Sequence, residues 1–106
     1  MQPSDALALI GRPDVAFVDL RERRELGRHR EITGSLHAAY PDLQESIGRG
    51  SVLHELAANR RIVFYCASGE RSAMAVQAAQ DAGFSSASHI HGGVDAWKKA
   101  NGPLRH

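Results

Sequence analysis

The residues that could perform covalent chemistry lie in one short stretch, RRIVFYCASGERSAMAV at positions 60–76. This stretch contains Cys66, the only cysteine of the chain, which comes directly after an apolar run. A lone cysteine cannot form an internal disulfide, so Cys66 is either a small buried side chain or a reactive thiol. Its place ahead of a glycine-containing loop and a helical pattern favours the reactive thiol, with inert burial left as the alternative.

The loop after the cysteine can form a bowl that binds an anion. Its residues are Ala67, Ser68, Gly69, Glu70, Arg71 and Ser72. The first N–H groups of a helix lack partners, and a glycine lets a tight loop turn further N–H groups inward. Together with the helix dipole they would surround the sulfur of Cys66. We expect Cys66 to be the catalytic residue and the loop to bind substrate, with Arg71 adding positive charge or bracing the loop.

Such a bowl would activate the sulfur, because the thiolate is the nucleophilic form of cysteine. An unperturbed pKa of ~8.5 leaves only ~3% of the thiol ionised at pH 7. Lowering this pKa by about two units requires ~2.7 kcal/mol of preferential stabilisation of the anion. Several N–H groups at a helix start can supply it, so no histidine base is required. Ser72 could bond the thiolate or only begin the helix, and Ser68 could bind substrate or face solvent.

The elements that must position this loop alternate along the chain. Strand patterns are VAFVDL at 15–20, SLHAAY at 35–40, RIVFYC at 61–66 and SHIH at 88–91. Helical patterns occupy 4–10, 41–47, 51–59, 72–82 and 94–100, and the charged run 21–27 favours a turn or a short helix. The alternation predicts one α/β domain over residues 1–106, with a mostly parallel sheet and helices on both faces. Sites in such sheets form beyond the carboxyl ends of the strands, where Cys66 lies.

The helix predicted at 72–82 should pack closely on the sheet, because small residues share one of its faces. That face consists of Met74, Ala75, Ala78, Ala79 and Ala82.

Length and composition restrict the class of protein further. The 106 residues suit one domain, with 42% apolar and 24% charged residues. A net charge of +1 gives no reason to expect nucleic acid as a partner. No apolar run approaches the ~20 residues of a membrane span, and the N-terminal pattern is not that of a signal peptide. We therefore expect a cytoplasmic protein that does not bind a membrane.

The segments FYCASGERSAMAV, GF and HIHGGVDAW, in this order, resemble the rhodanese domain. That family has a C-x-x-G-x-R-S loop after an apolar strand, then Gly-Gly and an aromatic residue in the last helix. Upstream, FVDLRERRE resembles its D-x-R-x-x-x-E stretch, and ITGSLH at 32–37 resembles its I-P-G-A-x-H stretch. Two positions depart from the family, Thr33 where proline is usual and Glu31 where histidine is frequent. Glu70 places an acid inside the loop.

The resemblance implies a three-layer sandwich with a central parallel sheet of about five strands. It also implies a sulfurtransferase, in which Cys66 takes a sulfane sulfur from thiosulfate, a polysulfide or a low-molecular-weight persulfide. The resulting persulfide would pass this sulfur to a thiol or cyanide, with Asp19 and Arg21 supporting the site. The implied chemistry requires no cofactor and no metal. We expect small-molecule donors and acceptors or an acceptor protein as partners, and a monomer or weak dimer.

Two other functions stay open. One is a binding or regulatory module without turnover, which the intact cysteine disfavours. The other is a cysteine phosphatase or arsenate reductase. Cys66 and Arg71 are spaced C-x4-R, whereas such phosphatases use C-x5-R, whose longer loop admits a tetrahedral phosphate.

Two histidines in the last strand pattern raise the question of a metal. His89 and His91 alternate and would point to one side of the strand, but no further ligand completes a set in the sequence. We therefore expect no metal site there.

Overall fold

The computed structural model describes residues 1–26 and 30–105. The strands are β1 Val15–Asp19, β2 Glu31–Ile32, β3 Leu36–His37, β4 Arg61–Tyr65, β5 Ser88–His89 and β6 Leu104–Arg105. The helices are α1 Pro3–Leu7, α2 Arg23–Leu26, α3 Leu43–Ser46, α4 Val52–Ala57, α5 Glu70–Asp81 and α6 Gly93–Lys99, with a 3-10 turn at Tyr40–Asp42. Within these ranges no helix is both long enough and apolar enough to cross a membrane.

A parallel sheet lies at the centre of the fold. In the described part of the chain it has four strands in the order β3-β1-β4-β5. β1 and β4 pair along their whole length, from Val15 opposite Arg61 to Asp19 opposite Tyr65. This confirms the predicted α/β class, although the sheet has four strands where about five were expected. β2 pairs instead with β6, in a separate antiparallel pair.

Helices cover both faces of the sheet, as predicted. On one face, β1 and β4 contribute Val18 and Phe64 to a core that contains Ala75 of α5 and residues of α3 and α4. On the other face, Phe17 packs with Trp97 of α6 and with residues of α1. Because β1 and β4 are buried on both sides, their sequences are continuous apolar runs rather than alternating ones.

The second predicted strand is much shorter than its pattern. Of residues 35–40, only Leu36 and His37 form β3. Beyond them the chain still follows β1, because the Ala38 N–H donates to the Asp19 carbonyl and the Tyr40 N–H to the Leu20 carbonyl. The 3-10 turn at Tyr40–Asp42 then ends the extended segment.

The main helix also differs from its prediction. α5 begins at Glu70, two residues before the predicted start, because the loop glycine ends the extended backbone earlier. Its buried residues are Ser72, Ala75 and Ala79, whereas Met74 is 54% exposed and Ala82 is exposed. The face against the sheet is thus narrower than predicted.

The charged run 21–27 contains α2, which confirms the short helix, while Gly27 lies outside the described residues.

Candidate active site

The cysteine loop joins the carboxyl end of β4 to the start of α5. Gly69 is the N-cap of α5 and has a φ of +104°, in the left-handed region that favours glycine. A Cβ at this position would lie 3.0 Å from the backbone nitrogen of Gly92. Gly69 is therefore required both by its backbone conformation and by the close approach of the segment before α6.

The N-terminus of α6 holds the loop from the other side. The Val94 N–H donates to the carbonyl of Cys66 at 2.8 Å, and the Asp95 N–H donates to the carbonyl of Ala67 at 3.1 Å. A Cβ on Gly93 would lie 2.3 Å from the Cys66 carbonyl oxygen, so only glycine permits this packing. These bonds turn the first loop carbonyls toward α6 and leave the N–H groups of the following residues free to face the sulfur. The Gly-Gly segment and the cysteine loop are thus one structural unit.

The Cys66 sulfur lies among hydrogen-bond donors. The Gly69 N–H donates to Sγ at 3.1 Å, and Ser72 Oγ lies 3.6 Å from Sγ. Burial raises the pKa of the thiol, but hydrogen bonds from the Ser72 backbone and hydroxyl and from the Gly69 and Ser68 N–H groups lower it. The net direction is a lowered pKa, although Cys66 is only 1% exposed. The structure therefore places the sulfur at the bottom of the expected bowl.

Arg71 is paired, and so it is not an isolated cation at the rim. Its Nη1 and Nη2 donate to the two carboxylate oxygens of Glu25 at 2.6 and 2.9 Å. This pair lowers the pKa of Glu25 to about 2 and raises the pKa of Arg71, to which the nearby Cys66 also contributes. The pair ties α2 to α5 beside the loop. Whether Arg71 adds charge at the rim or braces the loop stays a prediction. Sequence reasoning did not single out Glu25, although it is the acid of the FVDLRERRE motif.

Asp19 and Arg21 form a buried ion pair at the end of β1. Their side chains are at most 1% exposed, and the guanidinium donates to both carboxylate oxygens, with Nη2 to Oδ2 at 2.8 Å. Burial acts to lower the pKa of Arg21, but its bonds to Asp19 leave it raised. The Arg21 guanidinium also lies 5.9 Å from the ring centre of Tyr65 at the end of β4. The pair therefore lies where β1 and β4 end, and its supporting role stays a prediction.

The remaining loop residues differ in exposure. Ser68 and Glu70 are exposed, Ala67 is half-buried, and Ser72 is buried. The Ser72 hydroxyl lies 3.2 Å from the Gly69 carbonyl oxygen and 3.0 Å from Nδ1 of His89.

His89 therefore approaches the cysteine loop, a placement that sequence reasoning did not foresee. Its ring stacks on that of His91 with centroids 5.1 Å apart. Within residues 1–26 and 30–105, no group of three histidine, cysteine or acidic residues is placed to hold a metal ion. His89 is linked to the loop through Ser72, and His91 contacts His89 by stacking.

Fold and site together define a parallel α/β domain that holds its single cysteine in the loop between β4 and α5. Residues 2–100 match the rhodanese-like domain, and the chain belongs to that family.

Similar proteins carry different functional descriptions. The chain is 46% identical over 57 residues to the probable adenylyltransferase/sulfurtransferase MoeZ of Mycobacterium tuberculosis, a match that covers 54% of this chain but 14% of that protein. A Rhodopseudomonas palustris protein of unknown function, described as a possible tyrosine phosphatase, is 39% identical with a TM-score of 0.89, covering 98% of this chain and 82% of that one. A rhodanese-like domain from Anabaena is 25% identical with a TM-score of 0.80, covering 99% and 76%.

The pair between Arg71 and Glu25 gives a prediction for stability. The pKa of Glu25 falls from its ordinary 4.5 to about 2 in the folded protein, so the unfolded chain binds this proton first as the pH falls. The pair's contribution is thus present above pH 4.5 and is lost between pH 4.5 and 2. Glu25→Gln should lower the free energy of unfolding at pH 7 by roughly 1–2 kcal/mol and flatten its pH dependence in that window.

Urea unfolding at a series of pH values measures both effects. Glu55→Gln is the matched control, because Glu55 is exposed and forms no ion pair within the described ranges. An unchanged slope below pH 4.5 in Glu25→Gln would show that the pair contributes nothing.

Proposed function

We propose that this protein is a sulfurtransferase that carries a sulfane sulfur as a persulfide on Cys66. The observation that carries the proposal is the position of the Cys66 sulfur, to which the Gly69 N–H donates at 3.1 Å and beside which the Ser72 hydroxyl lies at 3.6 Å. These donors lower the pKa of the buried thiol. A buried cysteine without such donors would have a raised pKa and would be inert. Membership of the rhodanese-like family and the sulfurtransferase description of MoeZ support the same chemistry.

The reaction has two half-reactions that balance without a cofactor. The Cys66 thiolate attacks the outer sulfur of thiosulfate, a new S–S bond forms, and the old S–S bond breaks to release sulfite. An acceptor thiolate or cyanide then attacks the outer sulfur of the Cys66 persulfide. This step yields a new persulfide or thiocyanate and restores the thiolate. Covalent catalysis of this kind gives ping-pong kinetics.

The N–H groups of the loop have a part in both steps. In the free enzyme they stabilise the Cys66 thiolate, and in the loaded enzyme they face the terminal sulfur, which bears the negative charge. Donors that are fixed by the fold need no rearrangement when the charge moves outward by one atom. Their closeness to a single sulfur explains why the loop suits a sulfur atom better than a tetrahedral oxyanion.

The charges around the loop bear on the choice of donor. Arg71 is neutralised by Glu25, and the carboxylate of Glu70 is exposed at the start of α5. These three side chains together carry a net negative charge, which repels a dianion. Thiosulfate should therefore be a poorer donor than persulfides or organic polysulfides that carry less negative charge.

A phosphatase is the second candidate, because the Rhodopseudomonas palustris structure is described as a possible tyrosine phosphatase. The C-x4-R spacing and the pairing of Arg71 with Glu25 both disfavour it, since phosphate recognition uses a free guanidinium fork.

We also propose that the protein is a cytoplasmic monomer or weak dimer. It would receive sulfur from small molecules and deliver it to a thiol, either of a small molecule or of an acceptor protein.

Sulfur loading of Cys66 tests the function directly. After incubation with a polysulfide or a persulfide, the intact mass should increase by one sulfur atom, and cyanide should remove this sulfur as thiocyanate. Cys66→Ser should show neither change. A wild-type protein that gains no sulfur but hydrolyses an aryl phosphate would contradict the proposal and favour the phosphatase.

The charge of Glu70 can be tested against its distant counterpart in the same helix. Glu70→Lys should raise kcat/KM for thiosulfate by about three- to tenfold and leave that for an uncharged organic trisulfide donor unchanged. Asp81→Lys makes the same charge change at the far end of α5, about 16 Å away, and should have little effect. Equal gains in the two variants, or no gain in Glu70→Lys, would show that rim charge does not set donor choice.

A further inference from the structure

The Ser72 hydroxyl oxygen lies between three groups that compete for its single proton. The Gly69 carbonyl oxygen is 3.2 Å away, the Cys66 sulfur 3.6 Å and His89 Nδ1 3.0 Å. A hydroxyl donates one hydrogen bond and can accept others. The protonation state of Cys66 therefore decides whether the Ser72 hydroxyl donates its proton to the sulfur, to the Gly69 carbonyl or to His89.

Ionisation of Cys66 reverses these directions. In the thiol form, the S–H of Cys66 donates to Ser72 Oγ, and the Ser72 proton goes to Gly69 or to His89. In the thiolate form, the Ser72 proton is drawn to the charged sulfur, because bonds to ions are the stronger ones. Among the neighbours described here, the Gly69 carbonyl cannot donate, so His89 is the group that can then reinforce Ser72 by donating its Nδ1–H.

We propose that His89 is a positioning residue for the sulfur chemistry: its Nδ1–H holds the Ser72 hydroxyl oxygen and directs the hydroxyl proton at the Cys66 thiolate. This inference rests on the function proposed above, in which that thiolate is the nucleophile. Consecutive donors polarise one another, so His89 should strengthen the bond from Ser72 to the sulfur without contacting the sulfur itself.

The surroundings of His89 favour a neutral ring that acts through its tautomer rather than its charge. Burial is the largest cause acting on its pKa and lowers it, against a hydrogen bond with the Ile90 backbone that raises it. The Met1 amino group bonds the His89 carbonyl oxygen, and His91 stacks on the ring. A neutral donor of this kind can be replaced by the side-chain amide of asparagine, whose N–H reaches a similar position.

The test is a double-mutant cycle on the ionisation midpoint of Cys66, read from thiolate absorbance in the ultraviolet. The signal comes from one cysteine and is corrected by subtracting Cys66→Ser. His89→Ala should raise the midpoint by roughly half a pKa unit, and His89→Asn should restore most of the shift. In the Ser72→Ala background, His89→Ala should have no effect. His54→Ala is the control and should leave the midpoint unchanged, because His54 lies in α4 and its ring packs against Phe84 rather than against His89 or Ser72.

The opposite results are equally clear. Failure of His89→Ala to move the midpoint, an equal shift in the Ser72→Ala background, or failure of asparagine to restore it would overturn the role of His89. The measurement contains no sulfur donor, so it is independent of sulfur transfer. If Cys66 takes up no sulfur while the cycle shows coupling, the proposed function is wrong but the link from His89 to the sulfur holds. If sulfur loading is normal and the coupling is absent, only the role of His89 is wrong.

Discussion

The hydrogen bonds between main-chain N–H groups and one sulfur atom are the interaction on which the rest of the site depends. They form only if the loop turns its N–H groups inward, which requires its first carbonyls to point elsewhere. The N–H groups of Val94 and Asp95 hold those carbonyls in place by donating hydrogen bonds to them. Gly69 and Gly93 let the two segments approach closely enough. A site made of backbone is thus fixed by two helix starts that lie on opposite faces of the sheet.

Burial and activation of Cys66 act against each other, and the balance explains the design of the site. Removal from water disfavours the thiolate, so a cysteine in this position is reactive only while its donors stay in place. Two ion pairs maintain that arrangement. Arg71 and Glu25 tie the start of α5 to α2, and Asp19 and Arg21 fix the end of β1. Both arginines are thus paired within the protein, while the Glu70 carboxylate stays exposed at the start of α5.

The sequence predicted the contiguous elements around Cys66, but it did not predict the contacts between residues that are distant in the chain. The strand, glycine loop and helix around Cys66 are contiguous, so their geometry followed from spacing and backbone chemistry. The partner of Arg71 lies 46 residues away in the chain and that of Ser72 lies 17 away, and no periodicity links them. The prediction that Met74 faces the sheet was wrong for a related reason. Only the packed structure shows how narrow the buried face of α5 is.

The lowered pKa of the buried Cys66 thiol is measured most directly by the pH dependence of thiolate absorbance in the unmodified protein. The N–H groups around Cys66 predict an ionisation midpoint below that of an unperturbed cysteine. A midpoint at or above that value would mean that burial outweighs the donors, and the loop would then be a structural feature without a reactive thiol.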